Sequence, residues 1–520
     1  PPQPPHTPTV YHLLLLLRIS ASMADFQQLA RACLSPENGI REQAEQRLQS
    51  LRKGEANTYL SHLCNVVANS SDLQARMFLC VMLRQDVGPR SPVWNSCSPK
   101  AKDAVKVMLL GLLKDEKNRI IRKHVCQAAG RLASHTVAKG TWKSLLPALD
   151  QMCKSPHSLH LESSLHIAGI LSENASNAMK PLFPTLHKVI LKALGSKDSS
   201  LQVAALRATE SFIVSLEGHA QATFIKLLPK LFEVAAQLAQ KADDEPLQDY
   251  IDEIASLVTF RCQMFRPMMA NIIKLMANIA GHKDLEPGTR RMALSLVVEL
   301  AKRDRTSVKQ VKEMTSEIIP LAYSFMERVD EDMNKWSQGT EEKDDDDEDF
   351  CMGWDTLDNL ATNLGGGSVL NAAWPLIQKA LSSKSWLHRH AAISAVSALT
   401  PGCQKVMAEK LGNLLSMVAK LAASKDEHVR VRWAAVNCIG RFCVLFSDEI
   451  HERFALPTLQ CLVGGINSRD HVRLAASAAL CIVDYCRGME AERLQPRAEA
   501  VLGALRKLLG VNARLAQTAA

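Results

Sequence analysis

The chain has 520 residues, 47% hydrophobic but only 5% aromatic, with a formal net charge of +8. Alanine and leucine abound while Tyr, Phe, Trp and Thr are sparse, which favours helix over sheet. The 14 cysteines are dispersed with no CxxC pair, which argues against a zinc or redox site and fits small buried thiols in a reducing compartment.

Residues 1–22 contain an apolar run from Leu13 to Leu17 that is too short to span a bilayer and lacks a basic stretch ahead of it. They read as an upstream or disordered segment. Met23 opens the first amphipathic helix, followed by LSPENGIREQAEQRL from Leu34. No later segment reaches transmembrane length, so a soluble chain with no membrane partner is expected.

From here a pattern returns. KDEKNRIIRKHVCQAAGRLA begins at Lys114, KDSSLQVAALRATESFI at Lys197 and PGTRRMALSLVVELA at Pro287, each with a polar start and then small and apolar residues at helical spacing. A second apolar helix precedes each, as in WKSLLPALDQM, FIKLLPKLFEVAAQL and FRPMMANIIKLMANI. The repeat is clearest late in the chain, where Arg389, Arg432 and Arg473 stand 43 and 41 residues apart. That period belongs to HEAT or armadillo units. Asp198, Asp426 and Asp470 lie where a carboxylate can cap the second helix. The pairs Ala204-Ala205, Ala391-Ala392, Ala434-Ala435 and Ala475-Ala476 permit close helix approach. The expected fold is therefore an all-α, armadillo-like HEAT-repeat solenoid, a superhelix of about 11–12 antiparallel helix pairs whose second helices line the concave face.

The repeat is broken at 330–350. This segment holds 11 acids against Lys335 and Lys343, a net charge of −9, so the remainder of the chain is about +17. It falls between the helices TSEIIPLAYSFMERV and GWDTLDNLATNL of one unit, and such a run of like charge stays solvated. An acidic loop projecting from one repeat can reach over the concave face toward a basic partner. The expected layout is repeats over 23–329, the acidic loop over 330–350, further repeats over 351–510 and a tail over 511–520. A second break, Gly365-Gly366-Gly367, has no following Lys-Ser/Thr and no preceding strand, so it reads as an inter-repeat turn.

No catalytic constellation emerges. HExxH and GxSxG are absent, and the basic residues are dispersed with few interleaved aromatics, which argues against direct nucleic-acid binding. His388, His390, His428 and His471 fall at helix starts, where surface or capping roles are expected. The chain reads as a binding scaffold with no metal, cofactor or catalytic residue.

Taken together, the opening LSPENGIREQAEQRL, the acidic loop leading into WDTLDNLATNLGGGSVL, and SWLHRHAAISAVSAL and DEHVRVRWAAVNCIGRF in that order resemble the importin-β (karyopherin-β) superfamily, and within it the importin-5, or karyopherin beta-3, branch. The resemblance covers about Phe26 to Gly510 and matches the N-terminal half of such proteins, so the chain is expected to be a piece of a longer one. It implies a nuclear transport receptor, monomeric and shuttling between cytoplasm and nucleus, that binds cargo proteins, nucleoporin FG repeats and Ran-GTP, and releases cargo on Ran binding. It implies Ran contacts at Asp344, Asp345, Asp346, Asp347, Glu348 and Asp349, and on the early second helices at Arg41, Arg76 and Arg122. The GTP would belong to Ran. For cargo, it points to Asn437 and Asp484, while Pro401 and Leu445 stand where the branch usually carries acids. The alternative from the repeats alone is a HEAT-repeat scaffold subunit of another multiprotein complex.

Overall fold

A computed structural model describes residues 24–338, 348–468, 471–487, 489 and 491–509, and among these the chain is helical with no strand. It has the HEAT-repeat solenoid fold. Two compact units divide between Val234 and Ala235.

The first unit holds five helix pairs: α1 (24–32) with α2 (Asn38–Gly54), α3 (Ala56–Asn69) with α4 (Leu73–Asp86), α5 (Pro99–Asp115) with α6 (Arg119–Thr136), α7 (Leu145–Cys153) with α8 (Ser158–Met179), and α9 (Phe183–Leu194) with α10 (Ser199–Ser215). Helix α11 (Leu228–Gln240) carries the boundary. The second unit continues with α12 (Asp244–Arg261), then pairs α13 (Met269–Gly281) with α14 (Pro287–Arg303), α15 (Ile319–Met326) with α16 (Glu348–Leu364), α17 (Gly366–Leu381) with α18 (Trp386–Ala408), α19 (Leu411–Ala423) with α20 (Val429–Leu445), and α21 (Ala455–Ile466) with α22 (Val472–Arg487). A last helix, α23, spans Ala491–Leu509.

Local sequence explains each pair. In α6 the Asn118 carboxamide accepts the N–H groups of Ile120 and Ile121 at 3.0 and 3.2 Å, which fixes the helix start. Ile121, Val125, Ala128, Ala129 and Leu132 then recur at helical spacing and are fully buried. Each such aliphatic side chain stabilises the stack by about 1.5–3 kcal/mol. Within each unit the second helices lie against one another, α4 on α6 on α8 on α10, and α14 on α16 on α18 on α20 on α22. All four alanine pairs are buried between them.

The capping expectation is only partly right. Asp198 precedes α10, but its side chain makes no capping bond and instead pairs with Arg119 of α6, a stronger charged partner. At α20 the cap is His428, whose Nδ1 accepts from the Arg430 N–H at 3.3 Å, rather than Asp426. Asp470 lies outside the described residues.

The repeated arginine has a role that the spacing did not disclose. It reaches back from the second helix to the end of the first helix of its own pair and donates to backbone carbonyls there. Arg290 donates to Ala280 at 2.9 Å, Arg389 to Ser383 at 2.6 Å and Arg432 to Ala422 at 3.3 Å. Gln202 does the same at Ser196, 2.8 Å. A helix end leaves carbonyls without intrahelical partners, and a cation there also complements the dipole.

Gly365 ends α16 with φ +95°, a conformation only glycine adopts freely. The inter-repeat turn expected at 365–367 is confined to Gly365, since Gly366 and Gly367 already open α17. Beyond it α17 and α18 approach so closely that a Cβ on Gly366 would lie 2.2 Å from the Gly402 carbonyl oxygen.

Candidate functional site

The acidic segment enters after α15 and leaves at α16. Asp344, Asp345, Asp346 and Asp347 lie outside the described residues; Glu348 and Asp349 open α16. Asp349 is held from two sides, by Arg291 of α14 at 2.8 Å and Arg328 at 3.0 Å. Its side chain is only 16% exposed, whereas Glu348, also paired with Arg291, is 60% exposed. Two acids adjacent in sequence thus differ in what they can offer a partner: Asp349 anchors the root, and Glu348 presents charge to solvent.

The entering segment is anchored more strongly. Asp332 caps a short helix (Met333–Gln338) through the N–H groups of Asn334 and Lys335, and Lys335 pairs with Asp330 at 3.1 Å. Trp336 is buried. Its ring meets Trp433 edge-on at 6.0 Å, and the guanidinium groups of Arg430 and Arg473 lie over it at 5.6 and 5.0 Å. Arg473 also donates to the Trp336 carbonyl at 2.8 Å, and Arg430 to the Asp330 carbonyl. Both arginines are buried near the starts of α22 and α20. The residues 330–336 therefore cross to two later repeats, where Arg430 and Arg473 bind this segment. Nothing in the local spacing signalled this, because Arg430 lies 100 residues after Asp330 and Arg473 lies 137 residues after Trp336.

The structure brings the expected cargo residues together. Asn437, Asp484, Pro401 and Leu445 line one groove of about 560 Å³ with Arg441 and Leu480. Pro401 and Leu445 make one wall apolar. Arg441 extends from the groove to Asp358 of α16 at 4.0 Å and over the ring of Trp354 at 5.7 Å. Burial pushes the carboxyls of Asp355 and Asp358 upward, partly offset by Lys302 and Arg441 respectively. Asp358, Arg441 and Trp354 were missed by sequence reasoning; the signal was the WDTLD spacing, which sets two acids on one face of α16.

The three early arginines are placed differently from a partner-facing reading. Arg122 is buried and donates to the Glu116 carbonyl at 2.8 Å and the Ser163 hydroxyl at 3.0 Å, and to the Leu113 carbonyl. Arg76 donates to the Val67 carbonyl at 2.8 Å and pairs with Glu116. Arg41 donates to the Ser35 carbonyl at 3.2 Å and to Asn38. All three close the ends of first helices in the manner of Arg290 and Arg389.

Of the histidines expected at the surface or at caps, His390 is the exception. It is 1% exposed, with neither ring nitrogen hydrogen-bonded, and lies against Phe350, Trp386 and Trp433. The reason is register: His390 falls on the face of α18 that is buried by its neighbours, four residues after Trp386. Among the described residues no group of three or more His, Cys, Asp or Glu is arranged to hold a metal ion, and no helix is long and apolar enough to cross a membrane. The cysteines are free, and burial pushes the thiols of Cys64, Cys80 and Cys126 up to about 12.

Residues 117–275 match a family model described as IPO5-like, TPR repeats, and residues 282–371 one described as Importin repeat. Importin subunit beta-3 of Saccharomyces cerevisiae is 24% identical over 507 residues, covering 93% of this chain and 45% of its own length. The probable importin-5 homolog of Dictyostelium discoideum is 22% identical over 396 residues, covering 74% and 36%. Among solved structures, Kap121p superposes with a TM-score of 0.83 at 22% identity, over 96% of this chain and 48% of that one. Kap121p bound to RanGTP gives 0.82 at the same identity and coverage. The chain thus spans about half the length of the relatives it matches.

Proposed function

We propose that this chain, which belongs to the importin-β family, acts in a nuclear transport receptor that carries cargo proteins on its second helices and releases them when Ran-GTP binds. The observation that carries this reading is the acidic segment, a −9 run set between the two helices of one repeat and tied down at both of its roots. A generic scaffold has no need to fix such a segment in place. Kap121p, which shares the fold, has been crystallised with RanGTP, with Pho4p and with Nup53p, and these point to the partner classes proposed here: Ran-GTP, a cargo protein and a nucleoporin.

In this reading Asp344, Asp345, Asp346, Asp347 and Glu348 offer charge to a basic face of Ran, while Asp349 keeps the segment's exit in position. Arg41, Arg76 and Arg122 contribute by holding the N-terminal helix pairs in register for Ran. Cargo docks at the groove of Asn437 and Asp484, with Asp358 behind Arg441. The apolar wall of Pro401 and Leu445 suits a cargo segment that pairs one basic side chain with apolar neighbours. The nucleotide stays on Ran, so no nucleotide pocket is required of this chain. The receptor works as a monomer and passes between cytoplasm and nucleus through contacts with nucleoporin FG repeats.

The test is capture of Ran on the immobilised chain. Ran locked with GTP is retained and Ran-GDP is not. Equal retention of both forms, or of neither, removes the transport reading and leaves the non-transport scaffold.

A further inference from the structure

The first unit carries a second charged surface of opposite sign, on the free faces of α4, α6, α8 and α10. Arginines at the starts of these helices are neutralised: Arg76 by Glu116, and Arg119 by Asp198 and by Glu162 at 3.7 Å. Farther along the same helices the pattern changes. Among the described residues, Arg84 and Lys123 make no ion pair, and Arg84 donates instead to the Gln127 carboxamide at 2.8 Å. Lys123 and Gln127 line a groove of about 240 Å³ with His166, Arg207 and Ser211. Its floor includes Gly169, where a Cβ would come within 3.4 Å of the Ser211 hydroxyl, so the absent side chain keeps the groove open. The same cations act on the neighbouring imidazoles. The imidazoles of His124 and His166 are pushed down, by burial first and then by Arg84 and Lys123 at His124, and by Arg207 and Lys123 at His166. Of the nearby carboxylates, Glu162 is mostly buried, 3.7 Å from Arg119 and 3.9 Å from the His166 imidazole, and Glu210 stands beside Ser211 at 3.5 Å.

We propose that this groove binds an extended acidic peptide segment of a partner protein, with carboxylates set against Lys123 and the Arg84–Gln127 pair and the backbone meeting Ser211. The inference does not rest on the transport reading, and its surface is separate from the groove at Asn437. The occupant is a peptide rather than a nucleic acid for two reasons. The groove is lined by no Trp, Tyr or Phe, the large rings that successive bases stack on. Its cations are also interrupted by Glu162 and Glu210, which suit spaced carboxylates better than a continuous phosphate backbone. Exposed cations such as Arg84 and Lys123 on a shared face raise the local concentration of such a partner and speed its arrival, in a manner that salt suppresses.

The experiment is fluorescence anisotropy of a labelled, extended peptide rich in Asp and Glu, titrated with the full chain. Controls are the same peptide with Asn and Gln in place of the acids, and a single-stranded oligothymidine. The acidic peptide is expected to bind at low salt, to weaken about tenfold in Lys123→Glu, and further when Arg84→Glu is added. The amide peptide does not bind. Both substituted residues have their charged ends at the surface, and unchanged circular dichroism establishes that the variants fold. Equal binding to the double variant, or tighter binding of the oligothymidine than of the peptide, overturns the proposal. Ran capture measured on the same variants reports separately on the transport reading.

Discussion

Replacing Trp336 with alanine tests whether the acidic segment is tied to the later repeats. The indole is buried against Trp433, Arg430 and Arg473. Truncating a buried aromatic costs about 3–5 kcal/mol in a rigid core, and each cation–π contact adds about 0.5–2 kcal/mol. The segment around it is short, while ordering its backbone costs about 1–2 kcal/mol per residue. Losing the indole should therefore release 330–338 rather than strain it. The repeat cores do not use Trp336, so far-UV circular dichroism and the global midpoint should hardly move. Hydrogen exchange should accelerate over 330–338 and over the first turns of α20 and α22, where Arg430 and Arg473 lose their carbonyl partners. Unchanged exchange at all three places in Trp336→Ala would refute the anchoring argument.

Other consequences can be measured independently. His390 is held to a pKa of about 3, by burial first and then by Arg430 and His428, against 6.5 in the unfolded chain. Below about pH 6.5 the unfolded chain takes up a proton that the folded one refuses, so this group costs stability at about 1.4 kcal/mol per pH unit as pH falls toward its folded value. His390→Phe removes that loss; denaturant midpoints at about pH 6.5 and pH 4.5 should converge relative to the parent, and an identical pH slope in both proteins would contradict the assignment. Gly402→Ala places a Cβ within 2.5 Å of the Ala361 and Thr362 backbone, so it should destabilise the second unit by about 1–3 kcal/mol; a midpoint equal to the parent's would show that α18 can shift freely. Arg122→Ala strips the end of α5 of its donor and should cost about 2–4 kcal/mol without changing the salt dependence of Ran binding; a change in that dependence with no loss of stability would mean that Arg122 faces the partner.

The repeat was legible because its causes are local. Apolar spacing, Ala pairs, a cap such as Asn118 and the Gly365 turn each act within one helix or one junction, and a single sequence displays them. The position of the acidic segment within one pair was legible for the same reason. What stayed hidden depends on distant partners. The spacing marked Arg389, Arg432 and Arg473 as fold residues, but not that Arg389 and Arg432 close the preceding helix of their own pair. Asp198 looked like a cap and became an ion-pair partner of Arg119, because a guanidinium two repeats away competes better than backbone N–H groups. His390 looked like surface because its neighbours in sequence are polar, while its neighbours in space are three aromatic rings. At the groove, Asn437 and Asp484 were found through family resemblance, and Arg441 and Asp358 only through geometry, since their connection crosses two repeats.

The central claim is that the acidic segment makes this scaffold responsive to Ran-GTP. The most direct measurement is the affinity for GTP-locked Ran of the parent chain and of a variant carrying Asn at 344–347 and Gln at 348, each over a range of ionic strength. Asp349 is left intact so that its pairs with Arg291 and Arg328 hold the root. The account predicts weaker binding by the variant at low salt, with the two affinities converging as salt rises. Equal affinities at low salt would contradict it.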